Sequence, residues 1–153
     1  VSIPNSVITI GASAFANCSN LTSITIPSTV TNIAYNAFGN CSNLTTVEFA
    51  ANSKLAGIGT DAFKNCKKLE TVTFANGTKD AIIGSETFAG CASLNAITIP
   101  GNYTSVHKQA FLGCTALKSL TYEKSHYSYA NQTIDSDAFN GCSALETVSL
   151  PTT

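Results

Sequence analysis

The sequence predicts an α/β repeat solenoid: a right-handed coil with a parallel β-sheet on one face and short strands and single helical turns on the other. Two observations carry this expectation. The stretch AFANCSNLTSITIP (14–27) returns five more times: AFGNCSNLTTVEFA (37–50), AFKNCKKLETVTFA (62–75), TFAGCASLNAITIP (87–100), AFLGCTALKSLTYE (110–123) and AFNGCSALETVSLP (138–151). Self-similarity at a period of about 20–50 residues marks architectures in which no unit buries its apolar side alone. The second half of each copy also alternates apolar and polar residues, the pattern of a strand with one buried face.

Aligned on Phe15, Phe38, Phe63, Phe88, Phe111 and Phe139, the units are spaced 23, 25, 25, 23 and 28 residues apart. Each unit has three parts. A short lead-in ends in Ile or Val, often followed by Gly, as at Ile10-Gly11, Ile58-Gly59 and Ile83-Gly84. Its Val, Ile and Thr content suits a strand. The AFxxC segment follows. Thr60-Asp61, Ser85-Glu86 and Ser136-Asp137 precede it like an N-cap with a first-turn acid, so a single α or 3₁₀ turn is expected. Phe and Cys three apart would share its inner face. The LxxIxI segment is the main strand, with Ile24 and Ile26 inward and Ser23 and Thr25 outward. Stacked about 4.8 Å apart, six such strands predict one parallel sheet.

The links from main strand to next lead-in hold 6, 8, 8, 6 and 11 residues. The longest is Glu123–Thr133, which carries His126, Tyr127 and Tyr129. Tyr on an exposed loop suits a contact surface. The other reading is that these rings cap the core where the spacing stretches.

Only 11% of residues are charged, Lys supplies all eight positive charges, and the net charge is −1. That balance gives no electrostatic reason to bind nucleic acid or an anionic membrane. No apolar run reaches the roughly 18–20 residues of a membrane span, so no direct membrane insertion is expected of this segment.

Cys18, Cys41, Cys66, Cys91, Cys114 and Cys142 occupy the same slot of successive units. No CxxC or Cys/His cluster is present, so no metal site and no cofactor is expected. Stacked equivalents have parallel Cβ vectors, which disfavours disulfides. The expectation is a buried free-thiol ladder beside the Phe file. His107 and His126 have no fixed partners, no Cys is singled out as a nucleophile, and no hydrolase or phosphate-binding motif occurs, so no catalytic residue is proposed. Lys64, Lys67 and Lys68 read as one solvated face. Asn17, Asn20, Asn40, Asn43, Asn76, Asn102 and Asn131 fall in N-x-S/T triplets, most of which an Asn- and Thr-rich chain produces by chance.

The outward strand positions are the candidate binding surface: Thr25, Thr46, Glu48, Thr71, Thr73, Thr98 and Thr121, with Glu123 beyond them. The plain reading is β-propensity and solubility. The sharper reading is a ligand face, since short hydroxyls can bond a partner with little side-chain entropy lost.

AFxxCxxLxxIxIP preceded by VxxIG closely resembles the BspA-like subfamily of leucine-rich repeats, over essentially residues 1–151. Thr87 departs from the pattern's Ala, and Ala34 and His107 from its Gly. The resemblance implies a curved leucine-rich-repeat solenoid, export to the cell surface or medium, and adhesion to host proteins or other cells. The expected organisation is one domain over 1–153, six repeats plus a partial N-terminal repeat, cut from a longer surface protein. The expected function is a non-enzymatic module that binds extracellular or cell-surface proteins. The alternatives are a passive stalk displaying another domain, or a carbohydrate-binding surface.

Overall fold

The computed structural model describes residues 2–77, 80–125 and 131–151. Within them the chain forms twelve parallel strands of two to four residues and no helix. Each repeat contributes two strands. The lead-ins are β1 (Thr9–Ile10), β3 (Asn32–Ile33), β5 (Gly57–Ile58), β7 (Ala81–Ile83), β9 (Tyr103–Val106) and β11 (Thr133–Ile134), and they pair in that order as one six-stranded sheet. The main strands are β2 (Ser23–Ile26), β4 (Thr46–Phe49), β6 (Thr71–Thr73), β8 (Ala96–Ile99), β10 (Ser119–Tyr122) and β12 (Thr147–Ser149). The fold is therefore an all-β solenoid, not an α/β one.

The expected helical turns are absent for a local reason. In every repeat the residue two before Phe has positive φ: Ser13, Asn36, Asp61, Glu86, Gln109 and Asp137. So does the residue two after it: Asn17, Asn40, Asn65, Gly90, Gly113 and Gly141. Left-handed residues four apart break any right-handed helix. Asp61, Glu86 and Asp137 are thus turn residues, not first-turn acids. Asn and Gly tolerate this conformation best, which explains why Asn17, Asn40 and Asn65 stand where they do.

Two sets of hydrogen bonds hold these turns. Within a coil they run from residue i+3 to i, as Ala16 N–H to Ser13 and Cys18 N–H to Phe15. Between coils, Ser13, Phe15 and Asn17 donate to Tyr35, Ala37 and Gly39 of the next turn at 2.9, 2.7 and 2.8 Å. The backbone donors are satisfied without helix or strand. Thr87, fully buried in a slot that is otherwise Ala, donates its hydroxyl to Gly84 and Gly59 carbonyls.

Inside the coil the six Phe rings form one file. Neighbouring centroids lie 5.0–5.4 Å apart and planes within 14° of parallel. That spacing follows the rise between stacked coils, so the rings adopt an offset stack. Phe38, Phe63, Phe88 and Phe111 are fully buried; Phe15 and Phe139, at the ends of the file, are only partly so.

The Cys file does more than fill space. Cys41, Cys66, Cys91, Cys114 and Cys142 each donate Sγ–H to the Phe carbonyl of the preceding coil at 3.1–3.3 Å. The same carbonyl also accepts the Cys N–H of its own coil, as Phe15 does from Cys18, so both its lone pairs are used. All six thiols are free; Cys18 is exposed and the other five are buried. A thiol reagent is expected to label one cysteine per native chain and all six after unfolding. Rapid labelling of several native thiols would show that the file is open.

The main-strand sheet departs from expectation. It is two three-stranded sheets, β2-β4-β6 and β8-β10-β12, with no ladder between β6 and β8. Two features coincide at this step. β9 carries a bulge at Thr104, so that Ala81 pairs with Tyr103 but Ile82 with Ser105. A bulge bends its strand and increases local twist. Phe74 leaves the ladder after Thr73 and packs on Phe49, on Tyr103 and edge-on to Phe88. The step stays closed on the other side: Phe63 N–H bonds Thr87, Gly84 N–H bonds Ile58, and Lys64 bridges Asp61 at 3.3 Å and Glu86 at 2.6 Å. Lys64 is therefore an inter-coil tie rather than part of a solvated lysine face.

The long link is closed at its base. The Gln132 side chain accepts from Ser125 N–H at 3.0 Å and donates to the Glu123 carbonyl at 2.8 Å.

Candidate functional site

The outward face of the main strands is built by alternation. Ile24, Val47, Val72, Ile97 and Leu120 point inward and are buried, while Thr25, Glu48, Thr71, Thr73 and Thr98 are exposed and Thr46 and Thr121 half-buried. Register makes rows of them. Ser23, Thr46 and Thr71 align across the first sheet, as do Thr25, Glu48 and Thr73. Ala96, Ser119 and Thr147 align across the second, beside Thr98, Thr121 and Ser149.

Thr29, Thr31, Thr45, Thr87 and Thr104 donate to backbone carbonyls of neighbouring or nearby turns. Among the described residues, the hydroxyls of Thr25, Thr46, Thr71, Thr73, Thr98 and Thr121 make no hydrogen bond within the chain. They are free for a ligand.

Where the two sheets part, a cleft of about 280 Å³ opens. Buried Val72 and Pro100 and half-buried Phe74 form the apolar part of its lining. Thr73, Asn76, Ala96 and Thr98 line its exposed part, and Glu123 is its one ionisable residue. Three residues of the candidate surface, Thr73, Thr98 and Glu123, thus meet in one place. Thr25, Thr46, Thr71 and Thr121 lie along the flanking strands. His126, Tyr127 and Tyr129 lie outside the described residues. Sequence reasoning missed Phe74, Asn76 and Pro100. The sequence carried no signal for them: the link before Val106 holds six residues, as in the first repeat.

Among the described residues no three His, Cys, Asp or Glu side chains come together as a metal site, and no helix is long and apolar enough to cross a membrane.

The repeat geometry has a sequence counterpart. The BspA-type leucine-rich-repeat region model matches six copies, over residues 1–81 and 81–153. The chain belongs to the BspA-type leucine-rich-repeat family. Three solved structures share its fold. A leucine-rich cell-surface protein from Faecalibacterium prausnitzii is 30% identical with a TM-score of 0.72, over 86% of this chain and 32% of its own. The leucine-rich-repeat protein of T. pallidum is 24% identical, with the same TM-score, over 91% of this chain and 72% of that one. A leucine-rich-repeat protein from Eubacterium ventriosum is 23% identical at 0.72, over 99% and 43%. This BspA-type chain therefore spans about a third of the Faecalibacterium protein's length. No curated protein sequence matches it.

Proposed function

We propose that this BspA-type chain is a non-enzymatic protein-binding module of a surface-located protein, and that it binds through the outward face of its main strands. One observation carries the reading: six threonine hydroxyls of that face, set in rows by the strand register, make no hydrogen bond within the chain. Short hydroxyls on a rigid sheet offer hydrogen bonds at little entropic cost. The cleft supplies the recessed apolar spot around which interface energy concentrates. A surface location is supported by the Faecalibacterium relative, which is a cell-surface protein.

The test uses purified extracellular-matrix and cell-surface proteins against the immobilised chain. A protein that binds is expected to lose about tenfold or more in affinity to Thr98→Arg, which fills the face with bulk and charge. Thr98 is exposed, so near-ultraviolet circular dichroism should stay unchanged. Binding indifferent to both Thr73→Arg and Thr98→Arg would place the contact elsewhere and overturn the reading.

A further inference from the structure

We propose that the cleft between β6 and β8 seats a single cationic side chain, lysine or arginine, presented by a bound protein. The inference rests on the protein-binding reading and names what the face recognises.

Width is the first argument. Some Cα atoms of β6 and β8 lie within 8 Å of each other. A ladder would bring them to about 4.8 Å, and an inserted strand would need about twice that, roughly 9.6 Å. The gap is too wide for pairing and too narrow for a third strand. It admits a side chain. Its volume of about 280 Å³ also falls below the range of about 300–1,000 Å³ typical of small-molecule pockets.

Chemistry is the second. Val72, Phe74 and Pro100 supply the apolar part of a mixed lining, and lysine and arginine lay their aliphatic stems along apolar surface while the charged head stays among polar groups. Thr73 and Thr98 hydroxyls can accept from an ammonium or guanidinium group.

Charge is the third. Glu123 lines the cleft, and Glu48 is the register partner of Thr73, one strand away. No lysine occupies an outward position of any main strand. An acidic or phosphorylated ligand would meet Glu48 and Glu123 with no lysine among the main-strand residues, whereas a basic one is steered in.

The experiment is a nuclear magnetic resonance titration of the full chain with the blocked tripeptide Gly-Lys-Gly, and with Gly-norleucine-Gly, which keeps the stem and lacks the charge. The lysine peptide is expected to shift the amides of Thr73, Thr98 and Glu123 with a Kd of about 1–10 mM, the scale of one side-chain contact. Glu123→Gln should weaken it about three- to fivefold and flatten its salt dependence. Equal binding of the norleucine peptide, indifference to Glu123→Gln, or shifts confined to other surfaces would overturn the proposal. So would silence up to about 50 mM lysine peptide, or a response only to neutral oligosaccharides. A protein partner that loses binding to Thr98→Arg but not to Glu123→Gln would overturn the cation seat alone and leave the binding face standing.

Discussion

Phe88→Ala is expected to destabilise the chain by about 3–5 kcal/mol, the cost of emptying a buried aromatic site. Phe88 is fully buried, stacked 5.4 Å from Phe63 and 5.2 Å from Phe111, and met edge-on by Phe74 at 6.2 Å. Its position adds a second effect. In a solenoid each coil is held chiefly by its neighbours, so stability is a chain of nearest-neighbour terms. The step between the third and fourth repeats has already lost its main-strand ladder. Without the Phe88 ring that step rests on the lead-in pairing, the turn bonds and Lys64. The two three-strand halves should then unfold separately. Urea denaturation followed by circular dichroism should show one transition in the parent and a broadened or two-step transition in Phe88→Ala. Phe38→Ala removes an equally buried ring at a fully laddered step and should lose similar stability while keeping one transition. Phe15→Ala, at the half-buried end of the file, should cost far less. If Phe88→Ala and Phe15→Ala lose the same amount, stacking is not what joins the halves.

The periodic part of this architecture was legible because it is written once per unit. Phe at spacings of 23–28 residues requires that the rings be equivalent, and equivalent rings in stacked coils must align. Strand alternation was readable for the same reason, and it placed Ile24 and Ile26 inward and Thr25 outward. The turns were misread because two signals competed. Thr60-Asp61 and Ser85-Glu86 have the chemistry of helix starts, but Asn17, Asn40, Asn65, Gly90, Gly113 and Gly141 form a column of residues suited to left-handed backbone. The column recurs in all six units and the acid in three, so the column was the better guide. Two residues before Phe the same conformation is taken by Ser, Asn, Asp, Glu and Gln. No composition marks that position; inter-coil bonds such as Asp61 N–H to Ser85 impose it.

The cleft was illegible for a different reason. Residues 71–74 read TVTF where the neighbouring β4 reads TVEF, so nothing in the local sequence predicts that pairing stops. The break comes from the far side of the coil, where β9 accommodates an extra residue at Thr104, and from the packing of Phe74 against Tyr103. Such causes depend on contacts between residues about 30 apart. A period-by-period reading averages them away. Departures from a repeat, more than the repeat itself, are where the proposed binding surface of this family member is made.

The thiol file leads to a pH dependence with a defined sign. Cys91 is completely enclosed, and burial pushes its thiol from 9.0 up to about 12. Its Sγ–H donates to the Phe63 carbonyl at 3.3 Å, a bond that ionisation would break. Cys66 and Cys114 are also raised, first by thiol contact with Cys41 and Cys142 and then by burial. Those partners move the opposite way, because each contact stabilises one thiolate at the other's expense. Cys91 has no such partner and carries the prediction. Below pH 9 both folded and unfolded chains keep its proton, and its contribution to stability is complete. Between about pH 9 and 12 the unfolded chain releases a proton that the folded chain holds, so stability falls as pH rises. Each tenfold change in proton affinity is worth about 1.4 kcal/mol, so the full rise corresponds to about 4 kcal/mol. Urea midpoints measured from pH 8 upward should drop steeply above pH 9. Cys91→Ala should start about 1–2 kcal/mol lower, from the lost sulfur contacts and hydrogen bond, and then decline less. The two curves should converge and cross before pH 12. Parallel curves would mean that the Cys91 thiolate is tolerated inside the coil, and coincident curves that the thiol-to-carbonyl bond contributes nothing to holding one turn on the next.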